Sequence, residues 1–191
     1  MIILKIDSLK LDDILKTSIE SLKKGGIIIC PTDTVYGLIC DALNKKAVEK
    51  IFEIKKRDRS KPLGIFVKDI KIAKKLAFIN KNQESFLRDN KVTVILRAKK
   101  ENLSKLVYKD GTIGIRIPDY ELLSLILEKF GKPIAQTSAN ISGKFATTKI
   151  NDILEQFAME DVIIIDNGDL AESKPSQVID LTKNNIKILR K

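Results

Sequence analysis

Residues 27–42 read IIICPTDTVYGLICDA. The run from Ile27 to Cys30 is short, β-branched and closed by Pro31, which marks a buried strand rather than a helix. Beyond the proline come Thr32, Asp33, Thr34, Tyr36 and Gly37, a dense set of hydrogen-bonding groups with little filler. Two readings stand at this point. The cluster orients a polar ligand at a strand end, or it is a tight turn whose Thr and Asp side chains bond the local backbone.

The 191 residues suit one domain, 1–191, with a substantial core. Composition is globular, 43% hydrophobic and 31% charged. No apolar run reaches the length of a membrane span, and the start MIILKIDSLKL lacks a secretory pattern. Two cysteines outside any CxxC spacing fit a reduced, cytoplasmic protein. Net charge is +10, which favours anionic partners, although lysines dispersed along the chain give the same total. Histidine is absent, so no His base, His-activated nucleophile or His metal ligand is available. No GxxxxGK[ST] phosphate loop occurs.

Outward from the opening stretch, helical and strand patterns alternate. Apolar spacing predicts helices over 11–24, 44–56 with an Asn44 cap, 69–79, 81–89, 119–130 with a capped start and Gly131 as its stop, and 150–157. Strands are predicted at 26–30, 63–67, 91–99, 111–118, 133–138, 161–166, 176–182 and 186–190, the last two joined by residues 183–185. The order implies an α/β domain with a mixed sheet.

Three further groupings carry chemistry. KKRDRSKP, residues 55–62, is basic and follows a helix. Lys55 and Arg57 serve one anion only if the helix ends near Lys55; otherwise the run is a solvated helix end suited to the dipole. QTSANISG, residues 136–143, sets Ser138 and Asn140 two apart at a strand end, as an oxygen-binding loop or a plain turn. In GTIGIRIP, Thr112 and Arg116 share a strand face, and an Arg among isoleucines is a paired charge or an anion clamp.

Together these segments resemble the YrdC-like family of L-threonylcarbamoyl-AMP synthases. PTDTVYGL (31–38) is similar to its PT[DE]TVYGL opening, and AVEKIFEIKKR (47–57) to its KxR helix. TIGIR (112–116), TSANISG (137–143) and SQVIDLT with ILR at the tail match its remaining elements in order. The chain departs at Phe66, where many relatives carry His, and at Gln177, where they carry Thr. It ends at Lys191, so the added C-terminal domain of longer relatives is not expected.

The resemblance implies a twisted mixed sheet curled around a large basic cavity, flanked by helices. It implies condensation of L-threonine, bicarbonate and ATP, with Mg2+, into the mixed anhydride, which a downstream transferase complex uses on tRNA. It places Thr34, Arg116 and Ser176 on threonine. Lys55 and Arg57 face the phosphates and carbamate, with Lys61 and Arg190 on the nucleotide. Thr112, Ser138 and Asn140 order the α-phosphate. Two rivals are an RNA-binding module using the basic cavity and a related carbamoyl-adenylate-forming domain. With 5% aromatic residues and no stacking pattern, the sequence does not favour the RNA module.

Overall fold

The computed structural model describes residues 1–89, 91–99, 103–183 and 185–190. In chain order, β1 (Ile2–Lys5), α1 (Leu11–Lys23), β2 (Ile28–Cys30) and β3 (Gly37–Asp41) come first. Next are α2 (Lys45–Lys55), β4 (Gly64–Phe66), α3 (Ile70–Leu76), α4 (Lys81–Leu87) and β5 (Val92–Arg97). A 3-10 turn leads to β6 (Tyr108–Lys109) and β7 (Thr112–Arg116). Then follow α5 (Glu121–Phe130), β8 (Ile134–Ser138), α6 (Ile150–Gln156), β9 (Ile163–Asp166), β10 (Gln177–Asp180) and β11 (Lys187–Arg190).

The strands form one 11-stranded sheet in the order β1-β9-β2-β3-β8-β4-β7-β5-β10-β11, with β6 on β7. It is mixed, as the element order implied: β9 runs parallel to β1 and β2, while β3 is antiparallel to both β2 and β8. Alternation sends successive side chains into two cores. Ile29, Leu38, Ile65, Val94 and Ile115 pack with α2 residues Val48, Ile51 and Phe52. Ile28, Ile39, Phe66 and Ile134 pack on the other face with Leu22 of α1 and Ile126 of α5.

That second face is covered by α1 and α5 over only part of its width. Where β4, β7, β5 and β10 lie side by side, its positions are Gly64, Gly114, Thr93 and Val178, and a cleft opens above them. Gly64 is required there, since an added Cβ would come 2.7 Å from Gln136 Nε2. Sequence composition at these positions thus keeps the sheet surface low.

Local signals explain most element ends. Asn44 and Asp69 accept from Ala47 N and Ile72 N as side-chain caps, and Asn80 with Gln83 completes a capping box. Gly131, at φ 73°, stops α5. Several expectations are corrected. The start of α5 has no side-chain cap; Tyr120 holds that position. The 69–79 helix ends at Leu76 because Ala77 bridges to Ala98 and Phe78 N donates to Arg97 O. Strands β1, β3 and β6 were not anticipated. The tail does form a strand, yet β11 is an exposed edge whose Ile188 and Leu189 stay about half exposed. Asn184 of the preceding turn and Lys191 lie outside the described residues.

Candidate active site

The turn after β2 is both of the things its sequence allowed. Thr32 Oγ1 donates to Val35 O at 2.7 Å and accepts from Thr34 N at 3.1 Å, so the threonines shape their own backbone. Tyr36 is fully buried, and its hydroxyl donates to Gly168 O at 2.7 Å and accepts from Asn167 N, anchoring the turn to a distant loop. Thr34 and its neighbours then line a narrow neck with Phe66, Arg116, Ser138, Ser176 and Arg190. Arg116 is buried, 2.7 Å from Asp33 Oδ1 and 3.3 Å from Thr34 Oγ1, with the Phe66 ring 5.7 Å from its guanidinium carbon.

The neck opens into the cleft, about 570 Å³, whose lining includes Arg57, Lys61, Lys109, Thr112, Ser138 and Arg190. Nothing in that lining is a carboxylate. Arg57 reaches it through a backbone device. Helix α2 ends at Lys55, and Lys56 adopts a left-handed conformation, φ 50°. That reversal turns the two basic side chains apart. Arg57 Nε donates to Lys61 O at 2.8 Å and Nη2 to Pro62 O, fixing the guanidinium at the cleft wall.

Lys55 goes the other way, which corrects the expectation that it faces the phosphates. It is 1% exposed, and its ammonium donates to Ser138 O (2.5 Å), Asn140 O (2.6 Å) and Asn140 Oδ1 (3.2 Å). Asn140 is likewise spent inside its loop. Its Nδ2 donates to Ile141 O and Lys144 O, and its Oδ1 accepts from Ser138 Oγ at 2.7 Å. The KxR and SxN elements are therefore one scaffold: Lys55 and Asn140 hold the loop, and Arg57 and Ser138 border the cleft.

Charge is concentrated along one line. Burial, then Arg57, lowers Lys55 from 10.5 to about 7. Burial, then Arg190, lowers Arg57; burial, then Arg116, lowers Arg190. Cations held close enough to depress one another, with one buried Asp among them, form a site built for a polyanion. Arg190 donates from Nε and Nη2 to Ser176 O, and Ser176 Oγ lies 3.0 Å from Thr93 Oγ1. Thr112 Oγ1 donates to Lys109 O at 2.6 Å.

The sequence reading did not include Asp33, Gln136 or Lys109 among the site residues. Gln136 was within reach, because it shares a strand face with Ser138 two residues on. Asp33 and Arg116, 83 positions apart, could be paired only by the sheet. Among the described residues no cluster of three His, Cys, Asp or Glu is placed to hold a metal. The thiols of Cys30 and Cys40 are free and buried, with burial raising both. No helix among the described residues is long and apolar enough to cross a membrane.

The Sua5/YciO/YrdC family model, described as telomere recombination, matches residues 20–191. A putative threonylcarbamoyl-AMP synthase of Methanocaldococcus jannaschii is 40% identical over 183 residues, 92% of this chain and 86% of that one. The crystal structure of P. abyssi Sua5 complexed with L-threonine superposes with a TM-score of 0.91 at 31% identity, covering all of this chain and 57% of that one. E. coli YciO superposes with a TM-score of 0.87 at 27% identity, covering 100% and 94%.

Proposed function

The chain belongs to the Sua5/YciO/YrdC family, and from that premise we propose that it is an L-threonylcarbamoyladenylate synthase. It condenses L-threonine, bicarbonate or CO2, and ATP, releasing pyrophosphate. The observation that carries this reading is convergence. Thr34, Arg57, Thr112, Arg116, Ser138, Ser176 and Arg190, scattered over more than 150 positions, meet around one neck and one cleft.

The chemistry needs no protein nucleophile. The threonine amine adds to CO2 and loses a proton, giving a carbamate. A carbamate oxygen attacks the α-phosphorus, and the bond to the pyrophosphate oxygen breaks. What remains for the protein is positioning and charge stabilisation. Arg57, Lys61 and Arg190 neutralise the triphosphate, and Thr112 and Ser138 orient the α-phosphate. Thr34, Arg116 and Ser176 hold threonine in the neck, with Asp33 fixing the Arg116 guanidinium. Lys55 and Asn140 are positioning residues that present Ser138. The cleft donors are cations and hydroxyls, which suit phosphate rather than a metal cage, so Mg2+ enters with ATP as part of the substrate. The product goes to a threonylcarbamoyl-transferase acting on tRNA, in the cytoplasm.

The test is incubation of the purified protein with ATP, Mg2+, bicarbonate and labelled threonine. Expected is pyrophosphate release that requires both threonine and bicarbonate, with a labelled adenylate. Release independent of threonine overturns the assignment.

A further inference from the structure

A second concavity, about 1180 Å³, lies away from the motif residues. It is built by the α3–α4 connection, α4, the end of β5 and the β10–β11 connection. Strand β5 links the two sites: Thr93 and Ile95 border the cleft and Arg97 borders this groove. At a strand rise of about 3.3 Å per residue, the two lie within roughly 15 Å.

Three features of the groove need an occupant. Phe78 is 61% exposed, unusual for a ring of that size. It is nonetheless held rigidly, since Phe78 N donates to Arg97 O, Lys99 N donates to Leu76 O, and Ala77 bridges to Ala98. The Lys99 ammonium lies 5.3 Å from the ring centre. The lining carries four cations and no carboxylate. Lys74 is paired with Glu84 and Lys99 donates to Lys74 O, but the exposed Arg97 and Lys183 side chains have no hydrogen-bond or ion-pair partner among the described residues. Asn82, also in the lining, keeps an exposed side-chain amide with no such partner.

We propose that this groove binds single-stranded RNA, with an unpaired base stacked on Phe78 and the flanking phosphates on Arg97 and Lys183. A rigid exposed ring between cations is the arrangement that recognises nucleotides without a duplex. An acidic peptide has use for the cations but none for a bare ring. The Asn82 amide supplies both donor and acceptor to a ribose 2′-hydroxyl, which favours RNA over DNA. The sequence concealed this site because Phe78, Arg97 and Lys183 are far apart along the chain.

The experiment is fluorescence anisotropy with a labelled RNA of about ten nucleotides, a length within the range one such site covers. Saturating ATP is present to fill the cleft. Binding is expected to weaken about tenfold in Phe78→Ala, as for loss of one base stack. In Arg97→Ala and Lys183→Ala binding is expected to weaken with a shallower salt dependence, about one counterion fewer each. Threonine-dependent pyrophosphate release remains at the wild-type level in all three, which separates this site from the catalytic reading. The proposal is overturned if the three variants bind RNA as tightly as wild type. It is equally overturned if Arg190→Ala alone abolishes binding, or if polyglutamate or DNA of the same sequence binds as tightly as the RNA.

Discussion

Lys55→Met keeps the length and apolar stem of a buried side chain and removes only its ammonium. Three oxygens lose a donor. Two are compensated: Ser138 O still accepts from Asn140 N, and Asn140 Oδ1 from Ser138 Oγ. Asn140 O is left without one. An orphaned carbonyl costs about 1–3 kcal/mol, offset in part by no longer burying a charge. Global stability is therefore expected to fall by only about 1 kcal/mol, or roughly 2–4 °C in Tm. Local effects are larger, because charge-assisted bonds worth about 1.5–3 kcal/mol each no longer hold the loop closed. If about 3 kcal/mol of that ordering is lost at the transition state, pyrophosphate release falls on the order of a hundredfold. The assay is kcat/KM for Lys55→Met, Asn140→Ala and the double variant, with hydrogen exchange across residues 138–144. Residues serving one loop are expected to be strongly sub-additive, with a coupling of about 1–3 kcal/mol, and exchange is expected to rise in each. Additive losses with unchanged loop exchange would falsify the positioning role and restore Lys55 to a direct phosphate contact.

Other outcomes follow from the same geometry. Lys55 has a folded pKa of about 7 against an ordinary 10.5, so between those values the unfolded chain binds the extra proton and stability rises with pH. Turnover should fall over the same window as the ammonium clamp is lost, and melting curves and rates of Lys55→Met lacking both trends check it. Lys56→Gly, at φ 50°, relieves about 1 kcal/mol of left-handed strain, raising Tm by a few degrees with turnover intact; a lower Tm refutes the strain. Arg190→Ala should weaken ATP binding about 10–100-fold by calorimetry, for one lost charge-assisted contact, with Tm within a few degrees of wild type. Threonine should be turned over well ahead of valine, because a site built around a hydroxyl is left with unpaired groups by valine; equal rates discard the threonine pocket.

What the sequence revealed was local. Asn44, Asp69 and Gly131 announce helix ends because a cap acts within a few residues. Motif spacing led to Arg57, Ser138 and Arg190 at one site. What it concealed was long-range or directional. Strand β3 is five residues buried on both faces, so it has no alternation to read. β1 lies at a sheet edge with three of its four residues exposed, so it lacks a buried pattern. The inward turn of Lys55 depends on the left-handed Lys56, a conformation that glycine, not lysine, normally signals. Lys55 and Arg57 look equivalent in a string of basic letters, and one backbone dihedral gives them opposite tasks.

The pairing of β1 with β9 has a consequence for how the protein is made. Ile2 lies opposite Ile163, so the first strand to leave the ribosome meets its only partner more than 150 residues later. At about 5–20 residues per second, that is a wait of roughly 10–30 s. The β2–β3 hairpin can close at once, but β3 finds its second neighbour only when β8 has been made. Meanwhile the sticky face of α1, with Ile14, Leu15 and Leu22, has no α5 to lie on. Synthesis of this chain therefore includes an interval in which its N-terminal third is a client for whatever shields nascent apolar surface. A slow codon stretch before residue 160 lengthens that interval, and one after it does not.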